Sequence, residues 1–272
     1  MAVSIVVIHG ESDWSDYLTG YDVVQCRLNQ TKWLVQDNQV WAFSEKRRIQ
    51  VEAVLWRLGA VRPEPHQQRL LALLDFAAIP CVNPTNVLLA CYDRLAMLAM
   101  LKRLGLPVLP QTISLGDGLI ERIQPALPVV AKIGSYHAGY GKMRIQTAEQ
   151  WAEFCDLSFV SPDYCSTEPY IEYVRDIRCL LIGDQYWVMQ RRSSGWRANV
   201  ATNAYQLIEP PAEILEYSQR VMLQLKADIL GIDFIKDQQG KFWVLECNEI
   251  PGLAGFPEAA RALLAARLLN KL

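Results

Sequence analysis

The chain has 272 residues, 51% of them hydrophobic, so it can bury a sizeable core as one large domain or as a few small ones. Its 27 Lys and Arg residues nearly balance its 29 Asp and Glu residues, and a net charge of -2 gives no electrostatic reason to expect nucleic acid or an anionic membrane as a partner. The seven cysteines lack CxxC or Cys/His metal spacing, which argues against zinc and disulfides and indicates reduced thiols in a cytoplasmic protein.

The amino-terminal part predicts a small open α/β domain at residues 1–88. Its first strand, VSIVVI at 3–8, is of the buried parallel type, and Glu11 ends the apolar run too early for a signal peptide. Nowhere is an apolar run long enough to span a bilayer. The segment 11–50 is poorly patterned, and its best strand candidates are Val23–Leu28 and Lys32–Ala42. The remaining elements are a buried segment at 51–58, a helix at about 65–77 and a strand at 79–82.

Beyond residue 85 the chain alternates again between helices and strands. Asn86–Leu104 predicts one long helix, because leucines recur every three or four residues up to a stop at Gly105. The other predicted helices are 147–156, 211–228 and 257–272. The other predicted strands are 112–115, 128–133, an edge strand or linker at 165–172, and a hairpin of 176–182 with 185–192.

A glycine-containing loop, Gly134–Lys142, follows the strand that ends near Lys132. A Walker A loop would need glycine in place of Tyr136, and a Rossmann fingerprint would need glycine in place of Arg144, so neither phosphate motif is present. Two interpretations remain open. The loop either offers backbone N–H groups and nearby cations to phosphate oxygens, or it is a flexible hairpin.

The segment Leu230–Pro251 predicts a β-hairpin with strands at 230–236 and 241–248 around an Asp-Gln-Gln-Gly turn. This register places Asp233 opposite Val244, and alternation then puts Val244, Glu246 and Asn248 on the face that carries Asp233. The opposite, apolar face comprises Ile232, Phe234, Trp243, Leu245 and Cys247.

Two carboxylates and an amide on one face suit a hard cation with oxygen ligands. Asp233, Glu246 and Asn248 are therefore candidate ligands for Mg²⁺. An ordinary solvated strand face explains the same pattern equally well.

Several short motifs occur in one order: Lys132 with its loop, EPYI, DIR, GWRAN, GIDF and ECNEIPGLAGF. This order resembles the ATP-grasp superfamily, in particular the branch of the ribosomal-protein glutamate ligases, the lysine-biosynthesis carrier-protein ligases and the synapsins. The resemblance covers about Val54–Leu272. It implies an α+β ATP-grasp fold with an amino-terminal α/β (pre-ATP-grasp) domain. The ATP-grasp domain at 89–272 then has a small lobe at about 112–168 and a large lobe at about 169–272.

The resemblance also implies the cofactors ATP and Mg²⁺, as one or two ions, with Mn²⁺ as an alternative metal. Asp233, Glu246 and Asn248 are the implied metal ligands, and Arg197 and Asn199 handle phosphate. The remaining implied nucleotide contacts are Lys132, Glu168, Tyr170, Ile171 and Asp176.

The chain departs from the resemblance at Asp93-Arg94, where those families usually have a lysine. Arginine keeps the charge of lysine but not its geometry. Within the predicted strand 185–192, the neighbours Arg191 and Arg192 point to opposite faces, so at most one enters any site. We assign Arg192 and Arg197 as catalytic residues.

The predicted activity is an ATP- and Mg-dependent carboxylate–amine ligase that works through an acyl phosphate. Phosphoryl transfer then depends on positioning and cations, and no side-chain nucleophile is needed. Two alternatives stay open: a synapsin-like ATP-binding protein without ligation, and a small-metabolite kinase. The expected partners are small-molecule or peptide carboxylates and amines, with no nucleic acid or membrane. We also expect a homodimer, because the final helix looks exposed and related proteins form pairs.

Overall fold

The computed structural model of the chain describes residues 3–44, 47–59, 64–115, 124–197 and 202–272. Its first sheet is parallel and has the strand order β2-β1-β6-β7. The central strands β1 and β6 are almost wholly buried because both of their faces carry apolar side chains. The strands are β1 (Ser4–Ile8), β2 (Asp22–Cys26), β6 (Ala53–Trp56) and β7 (Cys81–Val82), and the accompanying helices are α1 (Trp14–Tyr17) and α2 (Pro65–Phe76).

The poorly patterned segment contains a three-stranded antiparallel meander and a short 3₁₀ turn at Leu28–Gln30. Asp37 and Asn38 both have positive φ, at 52° and 59°, which is the backbone conformation of a tight two-residue hairpin turn. The candidate strand Lys32–Ala42 is therefore two strands. They belong to the meander β3 (Lys32–Gln36), β4 (Gln39–Ser44) and β5 (Arg47–Gln50).

The prediction of one long helix at Asn86–Leu104 is wrong. Two helices, α3 (Thr85–Ala90) and α4 (Arg94–Arg103), lie there instead. The break occurs because Asp93 is extended, with φ -103° and ψ 125°, and its side chain accepts a hydrogen bond from the N–H of Ala96 at 2.8 Å. An aspartate that caps the start of a helix ends the preceding one.

Two antiparallel sheets make up the rest of the chain. The smaller has the order β10-β9-β11-β8 and packs on helix α5 (Ala148–Phe159). Its strands are β8 (Thr112–Ser114), β9 (Val129–Ile133), β10 (Lys142–Ile145) and β11 (Cys165–Pro169). The larger has the order β14-β13-β12-β15-β16, with strands β12 (Tyr173–Ile182), β13 (Gln185–Ser193), β14 (Thr202–Ile208), β15 (Ile229–Asp237) and β16 (Phe242–Asn248).

Two further helices cover the larger sheet. Helix α6 (Ala212–Leu225) buries Ile214 and Val221 against one face of the sheet, in the same core as α4. Helix α7 (Ala259–Leu269) buries Leu264 and Leu268 in a core that also contains residues of β1, β12 and β15. The carboxyl-terminal helix thereby joins the first sheet to the larger sheet.

Asn83 makes the most specific polar connection between these parts. It follows β7, is 1% exposed, and accepts hydrogen bonds from the N–H groups of Asp228 and Ile229 at 2.7 and 2.9 Å. Its Nδ2 donates to the carbonyls of Ile229 and Glu249, both at 2.7 Å. Asn83 therefore fixes the segment after β16 relative to the first sheet. The predicted domain limits, 1–88 and 89–272 with lobes at 112–168 and 169–272, stay predictions.

Candidate nucleotide and metal site

The site is built on the hairpin of β15 and β16, whose register differs from the predicted one. Asp233 lies opposite Glu246, whereas its neighbour Phe234 lies opposite Val244, and the register shifts between the two pairs. Leu245 is thus the extra residue of a β-bulge, which changes the side-chain phase of the strand. The prediction that Asp233 faces Val244 is wrong by two residues: Lys236 pairs with Phe242 and not with Lys241, which shifts the register by one, and the bulge adds the second. Val244 is a core residue, 1% exposed.

The bulge nevertheless leaves the three predicted metal ligands together. Asn248 lies opposite Gly231, two residues from Asp233, so Asp233, Glu246 and Asn248 share one face of the sheet. The predicted apolar face holds only in part. Ile232, Phe234 and Cys247 are buried in the core, whereas Trp243 and Leu245 are half-buried outside it.

Asp233 is the centre of a buried charge network. It is 2% exposed, and it accepts hydrogen bonds from Arg178 through Nε to Oδ1 and Nη2 to Oδ2, both at 2.7 Å. Arg191 approaches the same carboxylate, with Nη2 at 3.3 Å from Oδ1. Sequence reasoning missed Arg178. Its signal was present, since Arg178 lies two residues after the predicted site residue Asp176 on one strand and so shares its face.

The structure brings Arg191 into the site, and it places Arg192 elsewhere. Arg191 lies opposite Asp176 across β12 and β13, and its Nε donates to Asp176 Oδ1 at 2.5 Å. Arg192 is exposed, because the next residue of a strand points to the other face. The choice of Arg192 over Arg191 is therefore corrected. Burial raises the pKa of Asp176 to about 6, against the opposing effect of Arg191.

Glu246 lies between two cations. Its Oε2 is 3.7 Å from Arg94 Nη2 and 3.7 Å from Lys142 Nζ. Burial alone would raise the pKa of Glu246, but Lys142, Arg94 and His137 together hold it well below its usual range. Glu246 is consequently an ionised carboxylate, which is the form that binds a metal ion.

The donor set fits Mg²⁺. Asp233 and Glu246 supply carboxylate oxygens, and Asn248 brings a side-chain amide within 3.5 Å of Asp233 Oδ2. A carboxylate has about four lone-pair positions, so Asp233 retains acceptor capacity beside its two arginines. Within the described ranges no cluster of three His, Cys, Asp or Glu residues could hold a metal ion, and the third oxygen donor here is an amide.

On the smaller sheet, Lys132 is buried and paired. Its Nζ lies 2.6 Å from Glu168 Oε1, and Gln111 Nε2 donates to the other carboxylate oxygen at 3.1 Å. Burial lowers the pKa of Lys132 to about 8 despite this carboxylate. Lys132 is therefore a cation at neutral pH that loses its charge in mildly alkaline solution.

A cavity between the two antiparallel sheets brings the predicted nucleotide residues together. Its lining includes Lys132, Glu168, Tyr170, Ile171, Asp176, Arg191, Arg197, Asp233 and Glu246. Its volume is about 90 Å³, whereas ligand pockets typically have volumes of roughly 300–1,000 Å³. We expect the two sheets to separate when a nucleotide enters.

The loop Gly134–Lys142 borders this cavity. Arg197 Nη1 donates to the carbonyl of Gly139 at 2.9 Å, and Lys142 lines the cavity itself. The buried Arg94 binds the same loop, because its guanidinium donates to the carbonyl of Tyr136 and its N–H donates to Ser135 Oγ at 3.0 Å. Arg94 thus connects the loop to Glu246. Asn199 lies outside the described residues.

A second cavity of about 330 Å³ adjoins the first. Arg191 and Glu246 line both cavities, so the two meet at these side chains. His137, Arg178, Asn248 and Glu249 are among its other lining residues. Burial lowers the pKa of His137 and raises the pKa of Glu249 to about 7.

No helix among the described residues is both long and apolar enough to cross a membrane.

Known proteins resemble this chain over most of its length. The family model described as "Synapsin, ATP binding domain" matches residues 94–270. Among curated proteins, the glutamate–LysW ligase ArgX of Sulfolobus acidocaldarius is 26% identical over 212 residues, 73% of this chain and 74% of the relative. The ribosomal protein bS6–L-glutamate ligase of Escherichia fergusonii is 26% identical over 202 residues, 70% of this chain and 66% of the relative.

Solved structures share the fold. D-alanyl-alanine synthetase A of Vibrio cholerae matches with a TM-score of 0.77 and 13% identity, over 99% of this chain and 98% of its own. The ATP-grasp ligase PsnB, in complex with a phosphomimetic variant of its minimal precursor, Mg and ADP, matches with a TM-score of 0.75 and 16% identity. The match covers 100% of this chain and 99% of the PsnB chain.

These findings confirm the predicted α+β ATP-grasp fold. The named relatives are ligases of the ATP-grasp type that form C–N bonds, which is the predicted enzyme class. They support ATP and Mg²⁺ as cofactors, while the number of ions stays a prediction. The chain belongs to the synapsin ATP-binding-domain family of the ATP-grasp superfamily.

Proposed function

We propose that the protein phosphorylates a substrate carboxylate with ATP and joins the resulting acyl phosphate to an amine. The observation that carries this proposal is the junction of the two cavities. One cavity is lined by the predicted nucleotide contacts, the other has room for a substrate, and Arg191 and Glu246 line both. A phosphoryl group held in the first cavity thus lies next to a carboxylate held in the second.

The first step needs cations around the transferred phosphoryl group. Lys132, Lys142, Arg191 and Arg197 all line the nucleotide cavity. They hold the phosphates and stabilise charge that spreads over the phosphoryl oxygens. Asp233, Glu246 and Asn248 would hold Mg²⁺, which when bound neutralises phosphate charge and orients the oxygens.

In the second step the amine attacks the acyl carbon, an oxyanion forms there and phosphate leaves. Arg178 and Arg191 both line the substrate cavity and are held by Asp233 and Asp176, so their N–H groups are fixed in position. Positioned donors of this kind stabilise an oxyanion. We assign this role to Arg191 in place of Arg192, and we retain Arg197 as a contact to the nucleotide phosphates.

The substrates are a small-molecule or peptide carboxylate and an amine. L-glutamate is the first amine to test, because two of the relatives are named as ligases of glutamate. Synapsin-like nucleotide binding without ligation is the second candidate, and the match of residues 94–270 to the synapsin domain favours it.

The test is a screen for ADP and phosphate release over carboxylates and amines, followed by mass spectrometry of the product. With the correct pair, Glu246→Ala abolishes turnover, whereas the exposed control Glu153→Ala retains it. Undiminished turnover in Glu246→Ala removes the proposal. Nucleotide binding without ADP release across the whole screen supports the synapsin-like alternative, and ADP release without an amide product indicates a kinase.

A further inference from the structure

The first sheet carries a third cavity of about 510 Å³, outside the site described above. It lies at the carboxyl ends of the parallel strands. His9 follows β1, Leu28 follows β2 and Leu58 follows β6, and all three line it. The chain crosses from one side of β1 to the other between β2 and β6. Ligands of open α/β sheets bind at the carboxyl edge, where the strand order reverses in this way.

This third cavity is continuous with the substrate cavity. Leu58 and Gln67 line both of them. Together the two cavities form a groove that begins at Glu246 and Asn248 and ends over the first sheet. Each volume falls within the roughly 300–1,000 Å³ that holds a small-molecule ligand. A substrate that fills the groove is therefore longer than a single amino acid.

Gln67 stands at the junction with an unused side chain. It is 7% exposed, and its amide makes no hydrogen bond with any residue that the structure describes. A ligand amide would satisfy it, because a primary amide donates and accepts in the same way as a peptide group.

His9 offers a second unused donor. Its Nε2 accepts a hydrogen bond from the N–H of Leu28 at 2.7 Å, so in the neutral ring the proton is on Nδ1. That Nδ1–H has no acceptor among the described residues. A donor here and an amide at Gln67 match the carbonyl and N–H groups of a peptide-like ligand.

The described residues at the far end of the cavity are mostly apolar, with one acidic and one basic side chain among them. Leu28, Trp33, Leu70 and Leu73 line it, together with one acidic residue, Glu64, one basic residue, Arg69, and His66. Because the charges of the described lining residues balance, a charged group in the ligand gains no net attraction from them. An uncharged apolar side chain would bury its surface against these leucines and the tryptophan.

We infer that this cavity is a distal subsite for the substrate, which takes an uncharged apolar side chain linked through an amide to the reacting end. The inference rests on the proposed function for the identity of that reacting end. It names the substrate class as a peptide-like molecule with an apolar residue remote from the bond that forms.

The probe that tests the subsite without catalysis is N-acetyl-L-phenylalaninamide, which carries a ring and two amides but no reactive carboxylate or amine. Titration calorimetry with the full chain in ADP and Mg²⁺ should show saturable binding, and N-acetylglycinamide should bind at least about tenfold more weakly. Gln67→Leu should weaken binding of the phenylalanine probe about tenfold. Leu73→Glu should do the same from the rim, where Leu73 is 36% exposed and the change does not disturb the core.

The matched control is Leu223→Glu on α6, a leucine 77% exposed and remote from the groove, which should bind the probe like wild type. ADP affinity should stay within twofold in all three variants. Absence of saturable binding, equal binding of the glycine probe, or binding unaffected by both groove variants overturns the subsite.

The two proposals fail differently. If the phenylalanine probe binds as expected but no carboxylate–amine pair ever yields an amide, the ligase proposal fails and the subsite stands. If ligation occurs with free amino acids while the probe does not bind, and phenylalanine-containing dipeptides react no faster than glycine-containing ones, the subsite fails and the ligase stands.

Discussion

Replacing Asn83 with alanine should strongly destabilise the protein and misplace the end of β16. Its side chain makes two bonds as acceptor and two as donor, at 2.7–2.9 Å, with backbone groups of Asp228, Ile229 and Glu249. Alanine leaves these groups without their partner in a site that is 1% exposed.

The four bonds, at about 0.5–1.5 kcal/mol each, set the expected loss at about 2–6 kcal/mol of unfolding free energy. That is a large share of the roughly 5–15 kcal/mol by which native proteins are stable. With a urea m-value of about 3 kcal/mol per M, the unfolding midpoint should fall by about 0.7–2 M.

The assay is urea unfolding followed by far-UV circular dichroism and by tryptophan fluorescence. Asn86→Ala, an exposed asparagine on α3, is the matched control and should change stability by less than about 0.5 kcal/mol. The reasoning is refuted if Asn83→Ala loses less than about 1 kcal/mol, or if the control loses as much.

Further predictions concern the charges of the site. Arg191→Ala should cost about 3–5 kcal/mol of unfolding free energy, because Asp176 is left buried without its arginine. The exposed Arg192→Ala should cost less than about 0.5 kcal/mol. Equal losses of unfolding free energy in the two variants, measured by urea unfolding, would contradict the inward orientation of Arg191. Since the pKa of Lys132 is about 8, its cation is lost as pH rises, so ADP affinity measured by calorimetry should fall between pH 7 and 9, by up to about tenfold per pH unit above the pKa. Lys132→Arg should abolish this dependence. An ADP affinity of the wild type that does not change with pH would speak against a phosphate contact of Lys132. Asn248→Ala should raise the Mg²⁺ concentration needed for half-maximal ADP binding by at least about tenfold. The control Asn270→Ala, at an exposed asparagine, should leave that concentration unchanged. A raised Mg²⁺ requirement in both variants would point to general instability.

Side-chain alternation was sufficient to predict that Asp233, Glu246 and Asn248 share one face, although the predicted strand register was wrong. The bulge at Leu245 changes the side-chain phase of β16, and no residue in the sequence FWVLECN predicts a bulge. The observed partner of Asp233 lies two residues beyond the predicted one along β16. A shift by an even number of residues keeps alternate residues on one face, so the three ligands are grouped as predicted, whereas Val244 lies in the core.

Other features depended on tertiary contacts that periodicity does not carry. The leucine repeat through 86–104 continued across Asp93, whose capping hydrogen bond separates α3 from α4. Strand β14 was not predicted, because its residues pair with β13 at a sheet edge. The choice between Arg191 and Arg192 needed the partner strand, since only the pairing with Asp176 identifies the inward residue. The unpartnered amide of Gln67 had no signal in its helix at all.

The most direct measurement is the crystal structure of the protein with ADP and Mn²⁺, using anomalous scattering to locate the metal. The account predicts a metal peak bound by at least two of Asp233, Glu246 and Asn248, at oxygen distances within about 2.5 Å, with the nucleotide between Lys132 and Asp176. A metal held by none of these side chains, or ADP bound away from the cavity between the two antiparallel sheets, would contradict it.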